Sequence, residues 1–219
     1  MKKAVVFDLD GTLLNTLDDL CDSTNYALEE VGFPTRTIEE VRRFVGNGIR
    51  KLIERAVPDT ATAEQTEACY QIFCEHYKQN MENKTAEYDG ISDMLAALRD
   101  AGYRLAIVTN KADFAAQALC GSLFGKYVKT VVGSVDGRPN KPAPDGVFYA
   151  LEQMGVTAEE AVFVGDSEVD MQTARNAKLD VIGVLWGFRD EAQLRAEGVK
   201  TLANTPAELK NMLLKLKSC

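Results

Sequence analysis

The stretch Val5-Val6-Phe7-Asp8-Leu9-Asp10-Gly11-Thr12-Leu13 constrains this chain more than any other. Ala4 to Phe7 is a short apolar run rich in strand formers, and Gly11 is a breaker that lets the backbone turn away. The run therefore reads as a buried strand whose carboxyl end carries two acids. Asp8 and Asp10, two residues apart on an extended chain, share a face, and like charges this close resist joint ionisation unless a proton or a cation separates them. A hard divalent ion such as Mg2+ suits oxygen donors of this kind. With the ion in place, Asp8 can stay ionised as a nucleophile, while Asp10 can give a proton to a leaving oxygen and later take one from water. Alone, the segment also fits an ordinary solvated Asp-Leu-Asp-Gly turn.

After Leu14 the pattern turns helical and shows no convincing strand until about Tyr88. Leu17, Leu20, Cys21, Tyr26, Leu28 and Val31 make a rough helical stripe that Gly32 and Pro34 end. Thr37 precedes Glu39 and Glu40 as a helix cap with acid in the first turn, and Val41, Phe44 and Val45 carry the apolar face. Gly46-Asn47-Gly48 is a tight turn, and helical patterns follow with Ile49, Leu52, Ile53 and Ala56, then from Thr62 to Met81. Helices without strand partners are expected to form a small bundle. From Tyr88 onward strands and helices alternate, the signature of a parallel sheet covered on both faces. Tyr103–Val108, Val128–Val132, Ala161–Val164 and Val181–Leu185 read as strands, with helices over 91–101, 112–123, 147–154, 171–178 and 206–216. The bundle thus reads as an insertion after the first strand, a lid whose hinges fall near 14–16 and 83–87. The expected division is an α/β catalytic core over 1–14 and 83–219 and a helical cap over 15–82.

Four polar clusters fall at or just after expected strand ends, where open α/β sheets gather their ligands. Besides Asp8 and Asp10, Thr109 offers a hydroxyl and Asn110 a backbone donor at a strand-to-helix junction. Lys141 is a cation stiffened by Pro142 and Pro144. Asp166 and Asp170 put two further carboxylates at a helix start, suited to a hard cation directly or through water. Taken singly, each cluster has a plain structural reading as a cap, a surface lysine or an acidic helix start. Together they supply what attack of an anion on a phosphate monoester requires: cancelled repulsion and held equatorial oxygens. In the helical segment, the Asn47-Gly48 amides and the Arg50 guanidinium are candidates for a substrate carboxylate or second phosphate.

Composition excludes several other classes. A net charge of −8 and the lack of a basic stripe argue against nucleic acid. No apolar window is long enough to cross a bilayer, and no cleavable leader is evident, so neither a membrane partner nor export is expected. Five scattered cysteines without Cys-x-x-Cys spacing suggest neither a disulfide framework nor a zinc site, and fit a cytoplasmic protein. His76, the only histidine, leaves no histidine-rich metal site open and reads as a solvated or packed side chain.

Asp8-Leu9-Asp10-Gly11-Thr12, Thr109-Asn110, Lys141-Pro142 and Gly165-Asp166-Ser167-Glu168-Val169-Asp170 resemble, in order, the four motifs of the haloacid dehalogenase superfamily of aspartate-nucleophile phosphatases. The likeness covers essentially the whole chain. Within the superfamily, Val108-Thr109-Asn110-Lys111, Asn140-Lys141-Pro142-Ala143-Pro144 and Val45-Gly46-Asn47-Gly48 resemble the phosphoglycolate phosphatases. Departures are Asn15-Thr16, where Asp-Ser is usual, and Asp89, where a proline is frequent. The resemblance implies a Rossmann-like parallel sheet with helices on both faces and an inserted α-helical bundle cap. It implies that Asp8 forms a phosphoaspartate, that Asp10 is the acid/base, and that Thr109 and Lys141 bind the phosphoryl group. It further implies magnesium held by Asp8, the Asp10 carbonyl and Asp166, with Asp170 in an outer shell. The substrate expected is a small phosphorylated metabolite, and the protein a monomer or homodimer. A dehalogenase is disfavoured because a departing halide needs no proton from Asp10. Pyrophosphate hydrolysis, a sugar-phosphate mutase and a non-catalytic phosphate-binding or regulatory module on the same fold remain open.

Overall fold

The computed structural model describes residues 1–218. In chain order the elements are β1 (Ala4–Phe7), β2 (Leu14–Asn15), α1 (Leu17–Glu30), α2 (Ile38–Phe44), α3 (Ile49–Ala56), α4 (Ala63–Asn80) and β3 (Ala86–Glu87). They continue with α5 (Ile91–Asp100), β4 (Arg104–Ala112), α6 (Asp113–Phe124), β5 (Thr130–Ser134), α7 (Asp145–Met154), β6 (Ala161–Gly165) and α8 (Glu168–Ala177). The last four are β7 (Asp180–Val184), α9 (Glu191–Ala196), β8 (Leu202–Ala203) and α10 (Pro206–Ser218). The chain divides into two compact units: Met1–Leu14 with everything from Glu87 onward, and Asn15–Ala86.

The first unit is built on a six-stranded sheet ordered β5-β4-β1-β6-β7-β8, parallel throughout. Period-2 alternation distributes its side chains between two cores. Val5, Phe7, Leu105, Ile107, Val162 and Val164 pack with α5, α6 and α10 on one face. Ala4, Val6, Ala106, Val108, Ala161 and Phe163 pack with α7 and α8 on the other. Burial on both faces explains why these strands are nearly continuous apolar runs. β1 is central, with Phe7 in register with Ile107 of β4 and Val164 of β6. Its carboxyl end therefore emerges nearly level with that of β6, while β4 runs on past Ile107 to Ala112.

Two differences from the sequence reading bear on the site. Thr109-Asn110-Lys111, expected at the junction between a strand and a helix, lies inside β4, whose pairing with β5 slips between Val108 and Ala112. The irregularity keeps the backbone extended while changing the direction of the side chains, something periodicity alone does not reveal. The helix carrying Asp170 begins at Glu168, three residues earlier than expected, because Ser167 and Asp170 form a reciprocal cap. Short α9 and β8 had no expectation at all.

In the second unit α1 lies along α4, with Leu28, Leu52, Ile53, Phe73 and Tyr77 buried. The Phe73 and Tyr77 rings stack at 5.3 Å. Reciprocal caps start two of its helices, Thr37 with Glu40 and Thr62 with Gln65. His76 is packed, its ring 4.1 Å from that of Tyr26 and Nδ1 3.1 Å from the Ser23 hydroxyl. Cys21, Cys69, Cys74 and Cys120 are free thiols, and Cys219 lies outside the described residues. Asp19, buried on α1, accepts hydrogen bonds from the backbone amides of Lys84 (3.0 Å) and Thr85 (2.8 Å), and so fastens the segment after α4. Removing that carboxylate leaves two amides without a protein acceptor, and Asp19→Ala is expected to lose about 1–3 kcal/mol of stability. Urea denaturation followed by circular dichroism measures it, and a loss under about 0.5 kcal/mol would show that water satisfies those amides.

Candidate active site

Because β1 and β6 end within one residue of each other, the acids that follow them meet over a short distance. Asp8, Asp166 and Asp170 each place a carboxylate oxygen within 4.8 Å of the others, and all three are buried. Lys141 comes from the loop before α7 to lie among them. Its Nζ is 2.8 Å from Asp8 Oδ1 and 2.6 Å from Asp170 Oδ1, and it lies 5.6 Å from the centre of the Phe163 ring. Three carboxylates against one ammonium leave the cluster short of positive charge. Burial, then Asp170, pushes the Asp8 carboxyl up to about 7 although Lys141 pulls the other way. Burial, Asp170 and Asp8 likewise hold Asp166 well above the carboxylate range, against the opposing bonds from the Phe188 amide and the Thr12 hydroxyl. For Lys141, burial disfavours the cation, but Asp170 and Asp8 outweigh it and the ammonium is strengthened.

Each acid has its own support. Asp166 accepts from the Thr12 hydroxyl at 3.0 Å and the Phe188 amide at 2.7 Å. Asp170 Oδ2 accepts from the Ser167 amide (3.0 Å) and hydroxyl (2.6 Å), so both its oxygens already carry protein donors. That leaves Asp170 better placed to orient Lys141 than to reach a cation directly. Gly11, at φ +88°, makes the turn after Asp10, and a Cβ there would strike the Asp166 carboxylate. Gly187 is equally constrained, since a Cβ would meet both Asp166 and the Gly11 carbonyl. The loop after β7 is further tied to this turn by Trp186 Nε1, which donates to the Thr12 carbonyl at 2.9 Å.

The Asp10 carboxylate is outside the three-acid cluster. It is paired with Lys111, Nζ to Oδ1, at 2.9 Å. Thr109 is buried, and its Oγ1 accepts from the Lys111 amide at 3.2 Å, which leaves its own O–H free to donate elsewhere. The Asn110 side chain clamps the Lys141 backbone, accepting from its amide at 2.8 Å and donating to its carbonyl at 2.9 Å. Asn110 thereby couples β4 to the lysine loop through its side chain, in addition to the backbone donor read from the sequence. In the helical unit, Gly48 begins α3 at φ 85°, Asn47 Oδ1 accepts from Arg55 at 2.7 Å, and Arg50 pairs with Glu67 at 2.7 Å and lies over the Tyr70 ring. Lys111, Thr12, Ser167 and the Phe188 amide were not singled out in the sequence. Lys111, Thr12 and Ser167 stand inside the quoted motifs without a role of their own, whereas the Phe188 amide gave no signal.

The haloacid dehalogenase-like hydrolase family model matches residues 5–184. A phosphoglycolate phosphatase of Nitrosococcus oceani is 32% identical over 214 residues, covering 95% of each chain. One from Colwellia psychrerythraea is 33% identical over 215 residues with the same coverage. A Lactobacillus delbrueckii subsp. bulgaricus crystal structure, provisionally assigned as a phosphoglycolate phosphatase, superposes with a TM-score of 0.92 at 32% identity, covering 97% of this chain and 98% of that one. With the four motifs, the parallel sheet and the buried acid cluster all in agreement, this chain belongs to the haloacid dehalogenase-like hydrolase family.

Proposed function

We propose that the protein hydrolyses a small phosphate monoester of the phosphoglycolate type through a phosphoaspartate on Asp8. The observation that carries this reading is the Lys141 ammonium bridging Asp8 and Asp170 beside Asp166. An ammonium has three N–H donors, and with two committed to the carboxylates the third is left for a phosphoryl oxygen. The Thr109 hydroxyl supplies a second donor. An Asp8 oxygen bonds to phosphorus as the phosphorus–oxygen ester bond breaks, and Asp10 protonates the departing oxygen. Water then attacks the phosphorus, Asp10 takes its proton, and the Asp8–phosphorus bond breaks to release inorganic phosphate.

Magnesium fits the residues present. The donors are hard carboxylate oxygens, the cluster carries two more negative than positive charges, and Asp8 and Asp166 are destabilised in their ionised forms. Asp8 and Asp166 would hold the ion, with the Asp10 carbonyl as the further ligand the family likeness implies. When bound, it supplies positive charge that keeps Asp8 ionised and offsets the charge of the phosphoryl group. The chain's likeness to phosphoglycolate phosphatases supports a substrate with a carboxylate near its phosphate. On the same reading residues 15–82 select the substrate, with Asn47, Gly48 and Arg50 as candidate contacts.

Asp8→Asn is expected to lower phosphate release from phosphoglycolate by about a thousandfold or more, because the amide cannot form the covalent intermediate. Comparable activity in the two proteins would remove Asp8 from the nucleophile's role. Relative kcat/KM over phosphoglycolate, pyrophosphate and glucose phosphates separates a monoesterase from a pyrophosphatase, and a wild type inert to all of them would favour a binding module. Magnesium should also have a pH-dependent effect on stability. In the metal-free fold Asp8 keeps its proton up to about pH 7, whereas in the unfolded chain it releases it near 3.8, so metal-free stability falls as pH rises through this window. The ion competes with that proton, and the rise in Tm on adding Mg2+ should be larger at pH 7.5 than at pH 5. Equal shifts at the two pH values would show that the ion binds elsewhere.

A further inference from the structure

The loop that follows β7, Leu185 to Arg189, contributes no acid to the cluster, yet it meets Asp166 by two routes. Directly, the Phe188 amide donates to Oδ2 at 2.7 Å. Indirectly, the Trp186 indole N–H donates to the Thr12 carbonyl at 2.9 Å, and the Thr12 hydroxyl donates to Oδ1 at 3.0 Å. Thr12 is fully buried, and its amide donates to the Leu9 carbonyl at 3.2 Å, so its backbone is held on both sides of the side chain. Between the two routes Gly187 has no room for a Cβ beside Asp166, and beyond them Arg189 forks onto Glu168 at 2.8 and 3.2 Å. The loop is thus anchored along its length to the turn after β1 and to the start of α8.

The last torsion of an aspartate side chain is broad, so the carboxylate plane has little intrinsic preference. One donor on one oxygen still lets the group swing about that bond. A donor on each oxygen, brought by separate segments, fixes the plane. The consequence differs between cations. Mg2+ demands short bonds in near-octahedral geometry, so it gains from a ligand that is already oriented, whereas Ca2+ accepts more oxygens in looser geometry and tolerates a ligand that turns. We propose that this loop sets the cation preference of the acid cluster, with Trp186 as a positioning residue: acting through Thr12, it fixes the Asp166 carboxylate in one plane, which favours Mg2+ over Ca2+. Loss of the indole N–H frees the Thr12 carbonyl, the hydroxyl of the same residue loses its aim at Oδ1, and the carboxylate turns about its remaining bond to Phe188.

This inference rests on the magnesium site of the proposed function, and binding of the two cations, measured by calorimetric titration without substrate, separates the two. Trp186→Phe keeps the ring that packs against the first core and removes only the N–H. It is expected to weaken Mg2+ binding about tenfold, as loss of a ligand's support does, and Ca2+ binding clearly less, so that the ratio of the two affinities falls. Thr12→Val, which keeps the carbonyl and removes the hydroxyl, should lower the ratio in the same direction. In the Thr12→Val background Trp186→Phe should change it no further, since the two residues act as one unit. A Trp186→Phe protein, folded as judged by its metal-free Tm, that loses the same factor for both cations, or for neither, overturns the positioning role and leaves the loop's bonds merely structural. If Trp186→Phe does not fold, an unchanged ratio in Thr12→Val overturns it instead. A wild type that binds neither cation overturns the magnesium site itself, and the inference with it, before any variant is made.

Discussion

Everything at this site follows from placing three carboxylates and one ammonium in a buried volume where water cannot screen them. The parallel sheet creates the problem: β1 and β6 run in register, so the acids that follow Phe7 and Gly165 arrive side by side. The same sheet provides the means of tolerating it. Apolar packing on both faces of β1 and β6 holds the strand ends fixed against the repulsion, as only a well-packed interior can. Lys141 then links Asp8, the nucleophile we propose, to Asp170 and offsets part of the negative charge.

Rigidity around the cluster comes from hydrogen bonds that each join two motifs. Asn110 on β4 holds the backbone of Lys141, Ser167 turns Asp170 toward that lysine, and the loop after β7 reaches back to Asp166 through the Phe188 amide. The Thr12 hydroxyl approaches Asp166 from the turn after β1, and the close fit of Gly11 and Gly187 against the same carboxylate leaves it little freedom. Precise placement matters because an acid that is to hold a cation beside a nucleophile tolerates little displacement.

How much of this was legible in the sequence depended on whether a residue's function was local or borrowed. Asp8, Asp166 and Lys141 announced themselves as polar groups following apolar runs or set beside prolines, and the parallel sheet followed from the alternation of strands and helices. The carboxylate of Asp10 lies outside the cluster of Asp8, Asp166 and Asp170 and pairs with Lys111, 101 residues later, and no local pattern carries that information. Thr109 to Lys111 read as a strand's end because polar residues follow Val108; β4 instead carries on through them to pair Ala112 with Ser134. The six residues of α9 and the two of β8 are too short for periodicity to register. Phe188 contributes a backbone amide, which its side chain does not advertise.

The two lysines divide the labour between the two aspartates of the first motif. Lys141 is shared between Asp8 and Asp170, so neither carboxylate is fully compensated; on the function we propose, a divalent cation makes up the deficit and the remaining N–H donates to a phosphoryl oxygen. Lys111 pairs with Asp10, so that carboxylate's charge is met from within the protein and need not be met by the metal. On the function we propose, this separation suits one acid to covalent chemistry and the other to proton transfer. Two residues apart in the chain, Asp8 and Asp10 obtain different environments because β4 and the loop before α7 each bring one cation to one of them.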